Sequence, residues 1–163
     1  MVSPRHRRGE GGSCMSHSLA SVYVHLIFAV KHRMPLLMPD IRSDLFNFMA
    51  VTLRSCSCVP MEINGSVEHV HALFRLGRNH SIAKTVEELK RTSSRWLKSA
   101  GSEYTSFYWQ TGYGIFSVSY SQLGVAKRYI QNQVIHHQTL SFLEERQIFL
   151  TKHGFSPRDW EVD

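Results

Sequence analysis

The amino-acid sequence predicts an α+β protein with a ferredoxin-like or RRM-like antiparallel sheet and helices on one face. Hydrophobic residues alternate with a period of two in four short segments and recur at helical spacing in the longer segments between them. The resulting order is β-α-β-β-α-β-α, followed by one further amphipathic helix. Gly65 separates the second strand segment from the third, which indicates a hairpin.

The first half of the chain contains three predicted strands and one predicted helix. In the first strand, over residues 19–30, Val24 and Leu26 fall on one face and His25 on the other, because side chains alternate along a strand. Pro39 and Asp40 open a helix in which hydrophobic residues recur at helical spacing. The remaining predicted boundaries are 39–55 for this helix, 59–64 for the second strand and 66–76 for the third strand.

The second half begins with the clearest predicted helix, for which Ser81 is a plausible N-cap. An aromatic-rich loop follows, whose rings could stack on unpaired bases or pack into the core. The predicted elements are, in order, helix 79–99, loop 101–114, strand 115–119, helix 122 to about 137 and helix 142–153.

Composition and charge restrict the possible functions. The chain has 163 residues, 42% of them hydrophobic and 20% charged, which is ordinary for one soluble globular domain. No apolar run is long enough to span a bilayer. The net charge of +6 favours a polyanionic partner, either nucleic acid or an anionic membrane surface.

The termini and the cysteines lead to three further expectations. Residues 1–17 are polar, Gly-rich and basic, so we expect a disordered basic arm, or an upstream extension with Met15 as the native start. Residues 18–154 are predicted to form a single domain and residues 155–163 a C-terminal tail. Three cysteines without framework spacing argue against a disulfide-stapled secreted protein, so we expect reduced thiols and a cytoplasmic location.

The third strand carries the first candidate site. His69 and His71 flank Val70, so both imidazoles lie on one face and Val70 on the other. Two close imidazoles on a rigid strand form half of a site for a divalent metal, although they could also be two histidines on a half-exposed strand. If the apolar face meets the helices, both histidines lie on an open face of the sheet.

The helix predicted to end near residue 137 carries the second half of the candidate site. Tyr129 and Gln133 are four residues apart and therefore share a helical face. A tyrosine can attack phosphorus and an amide oxygen can bind a metal, but both residue types are more often structural or exposed. Four other side chains remain as alternative nucleophiles, ligands or contacts: Tyr113, Tyr120, His25 and His137.

Basic side chains form a candidate phosphate-binding surface. Lys84, Arg91 and Arg95 share one face of the helix predicted over 79–99, which could contact phosphate or could simply be solvated. Lys31 and Arg33 follow the first strand and are further candidates for DNA binding.

The combination of VEHVH with a downstream YIQNQ resembles the single-tyrosine HUH transposases of small single-strand insertion sequences, which are related to the REP-associated tyrosine transposases. The resemblance covers residues 18–154. It includes VHLIFAVKHR in the first strand, WQTGYGIFSVS in and after the aromatic loop, and KRYIQNQVIHHQ in the late helix.

The resemblance implies a role for each matching residue. His69, His71 and Gln133 would be the metal ligands, and Tyr129 the nucleophile that forms a 5′-phosphotyrosine link. It also implies Mg²⁺ or Mn²⁺ as cofactor, single-stranded DNA with end hairpins as substrate, and a homodimer whose active sites are shared between subunits. Two other functions stay open from the residues alone: a non-catalytic nucleic-acid-binding protein and a metal-dependent single-strand nuclease.

Overall fold

The computed structural model describes residues 19–133 and 141–160, and it confirms the predicted fold class. Four strands form one antiparallel sheet in the order β2-β3-β1-β4, which is the ferredoxin-like arrangement. The elements are β1 Tyr23–Ala29, α1 Pro39–Ser55, β2 Val59–Gly65, β3 His69–Arg75, α2 Ile82–Ala100, β4 Gly114–Val118, α3 Leu123–Gln131 and α4 Phe142–Lys152.

Most predicted boundaries agree with the structure to within a few residues. The N-cap of α2 is Ser81, as predicted, and its side chain accepts a hydrogen bond from the Lys84 amide at 3.2 Å. The third strand is shorter than predicted, because it begins only at His69. The late helix α3 ends at Gln131, and the segment over 134–140 with His137 lies outside the described residues.

One face of the sheet packs against α1 and α2 and forms the larger core. The predicted phase of β1 is confirmed, since Val24, Leu26 and Phe28 all point into this core. Fully buried residues of β3, α1 and α2 complete it: Val70, Ala72, Phe74, Leu45, Met49, Leu53, Leu89 and Leu97. Three aromatic residues of the loop after α2 are also buried, namely Tyr104, Phe107 and Trp109, whereas Tyr108 is exposed.

The opposite face of the sheet is covered by α4, so the prediction that this face is open is wrong. Ile27 and Ala29 of β1 pack with Phe142 and Leu150 of α4 and with Trp160 in a second buried cluster. The histidines of β3 lie on this face and have no exposed surface. Hydrophobic residues on the inner side of α4 therefore convert an expected surface into an enclosed site.

The register of the sheet brings three histidines together on the covered face. His71 pairs with Ile27 and His69 with Ala29 across the β1–β3 ladder. His25 is two residues from Ile27 on the same side of β1, which makes it a diagonal neighbour of His71. Within the described ranges, no helix has the length and apolar character needed to cross a membrane.

Candidate functional site

Two imidazoles of β3 and one carboxylate of α4 form the centre of the site. The Nε2 atom of His69 lies 3.5 Å from Glu145 Oε2, and the Nε2 atom of His71 lies 3.4 Å from Glu145 Oε1. All three side chains are buried. The pleat of β3 directs both histidines to the same side, and α4 supplies the carboxylate that meets them.

The other ring nitrogen of each histidine is held by a neighbouring side chain. The Ser66 hydroxyl lies 2.8 Å from Nδ1 of His69, and Nε2 of His25 lies 2.9 Å from Nδ1 of His71. Partners at Nδ1 fix ring orientation and direct Nε2 toward a metal. His25 therefore contacts the ring of His71 on the side away from Glu145.

His25 is held as a neutral imidazole. Burial, and after it the neighbouring His71, lower the pKa of His25 well below its usual value. A neutral ring has one donor and one acceptor nitrogen, so it can form a single directed hydrogen bond to His71. The ring of Phe149 on α4 also contacts it edge-on at 5.1 Å between centroids. These contacts fix His25 between the sheet and α4.

Sequence reasoning missed Glu145, which connects all the other groups of the site. Little in the sequence singles it out, because the apolar residues of α4 do not form one clear stripe: Phe142 and Leu150 are buried, whereas Leu143 and Ile148 are exposed. A capping box between Ser141 and Glu144 fixes where this helix begins. Phe142 then stacks on the His69 ring at 4.6 Å between centroids, which sets the position of Glu145 beside the histidines.

Tyr129 and Gln133 both contact this carboxylate, so the structure brings them to the histidine pair. The Tyr129 hydroxyl donates a hydrogen bond to Glu145 Oε1, and Gln133 Nε2 donates to the same oxygen at 2.8 Å. The amide oxygen of Gln133 lies 3.5 Å from Nε2 of His69. Gln133 is two residues beyond the end of α3 and fully buried.

The Tyr129 phenol is strongly held in its neutral form. Burial, and after it the charge of Glu145, raise its pKa well above the usual value of a tyrosine. A phenolate at this position therefore needs a positive charge nearby. The two alternative candidates for the nucleophile lie away from the histidines. Tyr120 is exposed, and Tyr113 packs against the core between the sheet and the first two helices.

The three central side chains can bind a divalent metal. One ligand atom from each of His69, His71 and Glu145 lies within 4.8 Å of the others. Ligands of an octahedral ion about 2.1 Å from the metal are themselves about 3 to 4 Å apart, so little movement is needed. Two imidazoles with one carboxylate are a donor set found at metal sites in proteins, which fits the inward direction of both Nε2 atoms.

The basic candidates divide into two groups. Lys31 and Arg33 belong to a turn after β1, and that turn is close to the start of β3 because the Val30 amide donates to the Glu68 carbonyl at 2.7 Å. Lys84, Arg91 and Arg95 lie on α2, in the layer on the far side of the sheet from the histidines, and Arg91 pairs with Glu88. The structure therefore brings only the first group to the neighbourhood of the site.

Comparison with known proteins identifies one family. The model of the family described as transposase, IS200-like, matches residues 18–133. No curated protein matches the chain. Among the solved structures that match it, two are similar in fold with a TM-score of 0.57 each.

The first of these two structures is a candidate transposase from Deinococcus radiodurans R1, with 22% identity over 78% of this chain and 98% of that one. The second is a REP-associated tyrosine transposase bound to a REP hairpin, with 14% identity over 99% of this chain and 93% of that one. At these identities the likeness concerns the fold.

Replacing the central carboxylate tests its part in metal binding. In Glu145→Gln the shape is kept and the negative charge is lost, so we expect the dissociation constant for Mn²⁺ to rise at least about tenfold. Isothermal titration calorimetry measures the change.

The matched control is Glu144→Gln, one residue earlier on α4. Glu144 is exposed, and glutamine also completes a capping box, so Mn²⁺ binding should stay as in the unmodified protein. Equal affinity in both variants would exclude Glu145 as a ligand.

Proposed function

Because the chain belongs to the IS200-like transposase family, we propose that it cleaves and rejoins single-stranded DNA through a covalent bond between Tyr129 and a 5′ phosphate. The observation that carries this proposal is the hydrogen bond from the Tyr129 hydroxyl to Glu145, the carboxylate between His69 and His71. A nucleophile and a metal-binding group therefore meet at one point. Transesterification by a tyrosine needs this combination.

His69, His71, Glu145 and Gln133 are the residues that would hold the ion, which we propose to be Mg²⁺ or Mn²⁺. Both imidazoles would bind through Nε2, since their Nδ1 atoms already have partners. When bound, such an ion neutralises charge on the scissile phosphate. Four protein donors leave room for phosphate oxygens around an ion that takes six ligands.

The covalent step uses the oxygen of Tyr129. This oxygen loses its proton and attacks phosphorus, and the bond from phosphorus to the 3′ oxygen breaks. The departing 3′ oxygen takes up a proton, so the strand leaves with a free 3′-hydroxyl. Glu145 already accepts the hydrogen bond of the phenol, so it is positioned to accept the proton. In the reverse step a 3′-hydroxyl attacks the phosphotyrosine, which joins two strands and frees Tyr129 without an external energy source.

The proposed substrate is single-stranded DNA from the ends of an insertion sequence, with hairpins near the ends. The bound REP hairpin in one similar structure and the positive net charge of this chain support the choice. Lys31 and Arg33 are the proposed phosphate contacts nearest the site. Beside their turn, the Lys31 amide donates to the Tyr108 carbonyl at 2.9 Å, and the Lys98 ammonium lies 3.7 Å from the centre of the exposed Tyr108 ring.

The resemblance implies a homodimer with shared active sites, and the contacts within one chain support a different arrangement. Tyr129 lies beside the histidines of its own chain, with a centroid distance of 6.1 Å to His71. We therefore propose that one chain contains a complete site, and that any dimer would form without exchange of α3 between subunits.

Tyr129→Phe should abolish the covalent protein–DNA adduct. The substitution keeps the ring and removes the oxygen that attacks phosphorus. To test this, the purified protein is incubated with the single-stranded DNA that flanks its gene, with and without Mg²⁺ or Mn²⁺. The adduct is then detected on a denaturing gel.

Tyr120→Phe is the matched control, because Tyr120 is 77% exposed and outside the site, and it should form the adduct normally. Cleavage by Tyr129→Phe without an adduct would indicate attack by water and hence a nuclease. DNA binding without cleavage under every metal condition would indicate a non-catalytic binding protein.

The salt dependence of DNA binding separates the two basic groups. In a Lys31→Ala/Arg33→Ala variant, the slope of log affinity against log salt should fall by about 1.4, since each phosphate of a single strand that a cation neutralises contributes about 0.7. Binding titrations at several salt concentrations measure it. A triple alanine variant at Lys84, Arg91 and Arg95 should change this slope less. A larger change in the triple variant would indicate that the main phosphate contacts lie on α2.

Mixing two inactive variants tests whether the site is complete within one chain. We expect no adduct when Tyr129→Phe is mixed with His69→Ala, because each chain would lack one part of its own site. The mixture must be unfolded and refolded together so that any dimers exchange subunits. Recovery of up to about a quarter of the normal adduct, the statistical limit for random pairing with one restored site in each mixed dimer, would show instead that subunits share active sites.

A further inference from the structure

A cavity of about 710 Å³ opens beside the proposed nucleophile, between β4, α3 and α4. Tyr129 and His25 form part of its wall, which continues along β4 and α4 to the residues that directly follow them, Ser119 and His153. The metal-binding residues His69, His71 and Glu145 do not line it. A volume of this size is typical of pockets that bind small organic groups.

Three aromatic rings of the wall lie nearly parallel. The rings of Phe116 and His153 are 4.4 Å apart at an angle of 24°. The Phe149 ring is inclined by 4° to His153 and by 28° to Phe116. A stack of nearly parallel rings can be extended by another flat aromatic ring, and every base has such a face.

The remaining lining residues fit the other parts of a nucleotide. Ser117 and Gln122 offer donors and acceptors for the edge of a base, and Lys152 offers a positive charge for a phosphate. None of the described residues that line the cavity is acidic. Val125 and Ile148 on the same lining are about half exposed, at 51% and 55%, so an occupant would cover apolar surface that is now in water.

We propose that this cavity binds the unpaired base next to the scissile phosphate, an inference that rests on the proposed function. Tyr129 stands in the cavity wall, so a base in the cavity lies within one nucleotide of the phosphorus that Tyr129 attacks. A protein partner seated permanently there would block the strand from Tyr129. A base arrives with the strand and leaves with it, and its stacking on Phe149 and His153 would align the phosphate with the Tyr129 oxygen.

An abasic scan of the substrate tests the proposal. The base of each nucleotide in the flanking single-stranded DNA is removed in turn, and the affinity of the Tyr129→Phe protein is measured by fluorescence anisotropy. We expect one position, adjacent to the phosphate at which the unmodified protein forms its adduct, to lose affinity about fivefold or more, which is the usual effect of removing one stacked base.

The same scan is repeated after His153→Ala is added to the Tyr129→Phe protein, a change at an exposed position of the cavity wall. The loss at that position should become clearly smaller, because one of the two rings that the base stacks on is already gone. The control adds Thr151→Ala, on α4 but outside the cavity lining, to the Tyr129→Phe protein and should leave the scan unchanged. The proposal is overturned if no position loses affinity, if the sensitive position is far from the adduct, or if the loss is the same with and without His153.

The outcome separates this inference from the proposed function. If the adduct forms on Tyr129 and the abasic scan is flat, the transposition chemistry stands and the base site is wrong. If no adduct forms under any metal condition, the proposed function fails, and with it the assignment of the cavity to the base at a scissile phosphate.

Discussion

The structure of the site depends on one buried carboxylate. Glu145 is 2% exposed, accepts hydrogen bonds from Tyr129 and Gln133, and lies against the Nε2 atoms of His69 and His71. A buried negative charge is costly unless polar groups or a cation surround it. Apolar contacts of Phe142 and Leu150 hold α4 over the histidine face of the sheet, and the partners of Glu145 offset the cost of burying its charge there. A divalent cation suits the position for the same reason, because it would supply a positive charge beside the buried carboxylate.

The sheet supplies the rigidity that this carboxylate requires. Alternation along β3 gives both imidazoles the same direction, and Ser66 and His25 hold the Nδ1 atoms so that the Nε2 atoms turn inward. These supports belong to strands and to a tight hairpin, which move less than loops. The proposed nucleophile, Tyr129, comes from α3, a separate helix. The geometry of attack is therefore set by how α3 and α4 pack together against one sheet.

Much of the fold and half of the site follow from local patterns in the sequence. Periods of two and 3.6 residues are properties of short segments, so they locate the strands, the histidine pair and the helix with Tyr129. Glu145 and the covered face were missed because they depend on where α4 docks, 70 residues and more after the histidines. Gln133 was found by helical spacing, although the helix ends at Gln131 and the side chain reaches the site from beyond it.

The most direct test of the central claim is anomalous X-ray diffraction from crystals of the protein soaked in Mn²⁺. The account predicts one strong peak bonded to Nε2 of His69, Nε2 of His71 and a carboxylate oxygen of Glu145, with the Tyr129 hydroxyl nearby. A peak bonded to other residues, or a peak at the histidines with Glu145 turned away from the ion, would contradict it.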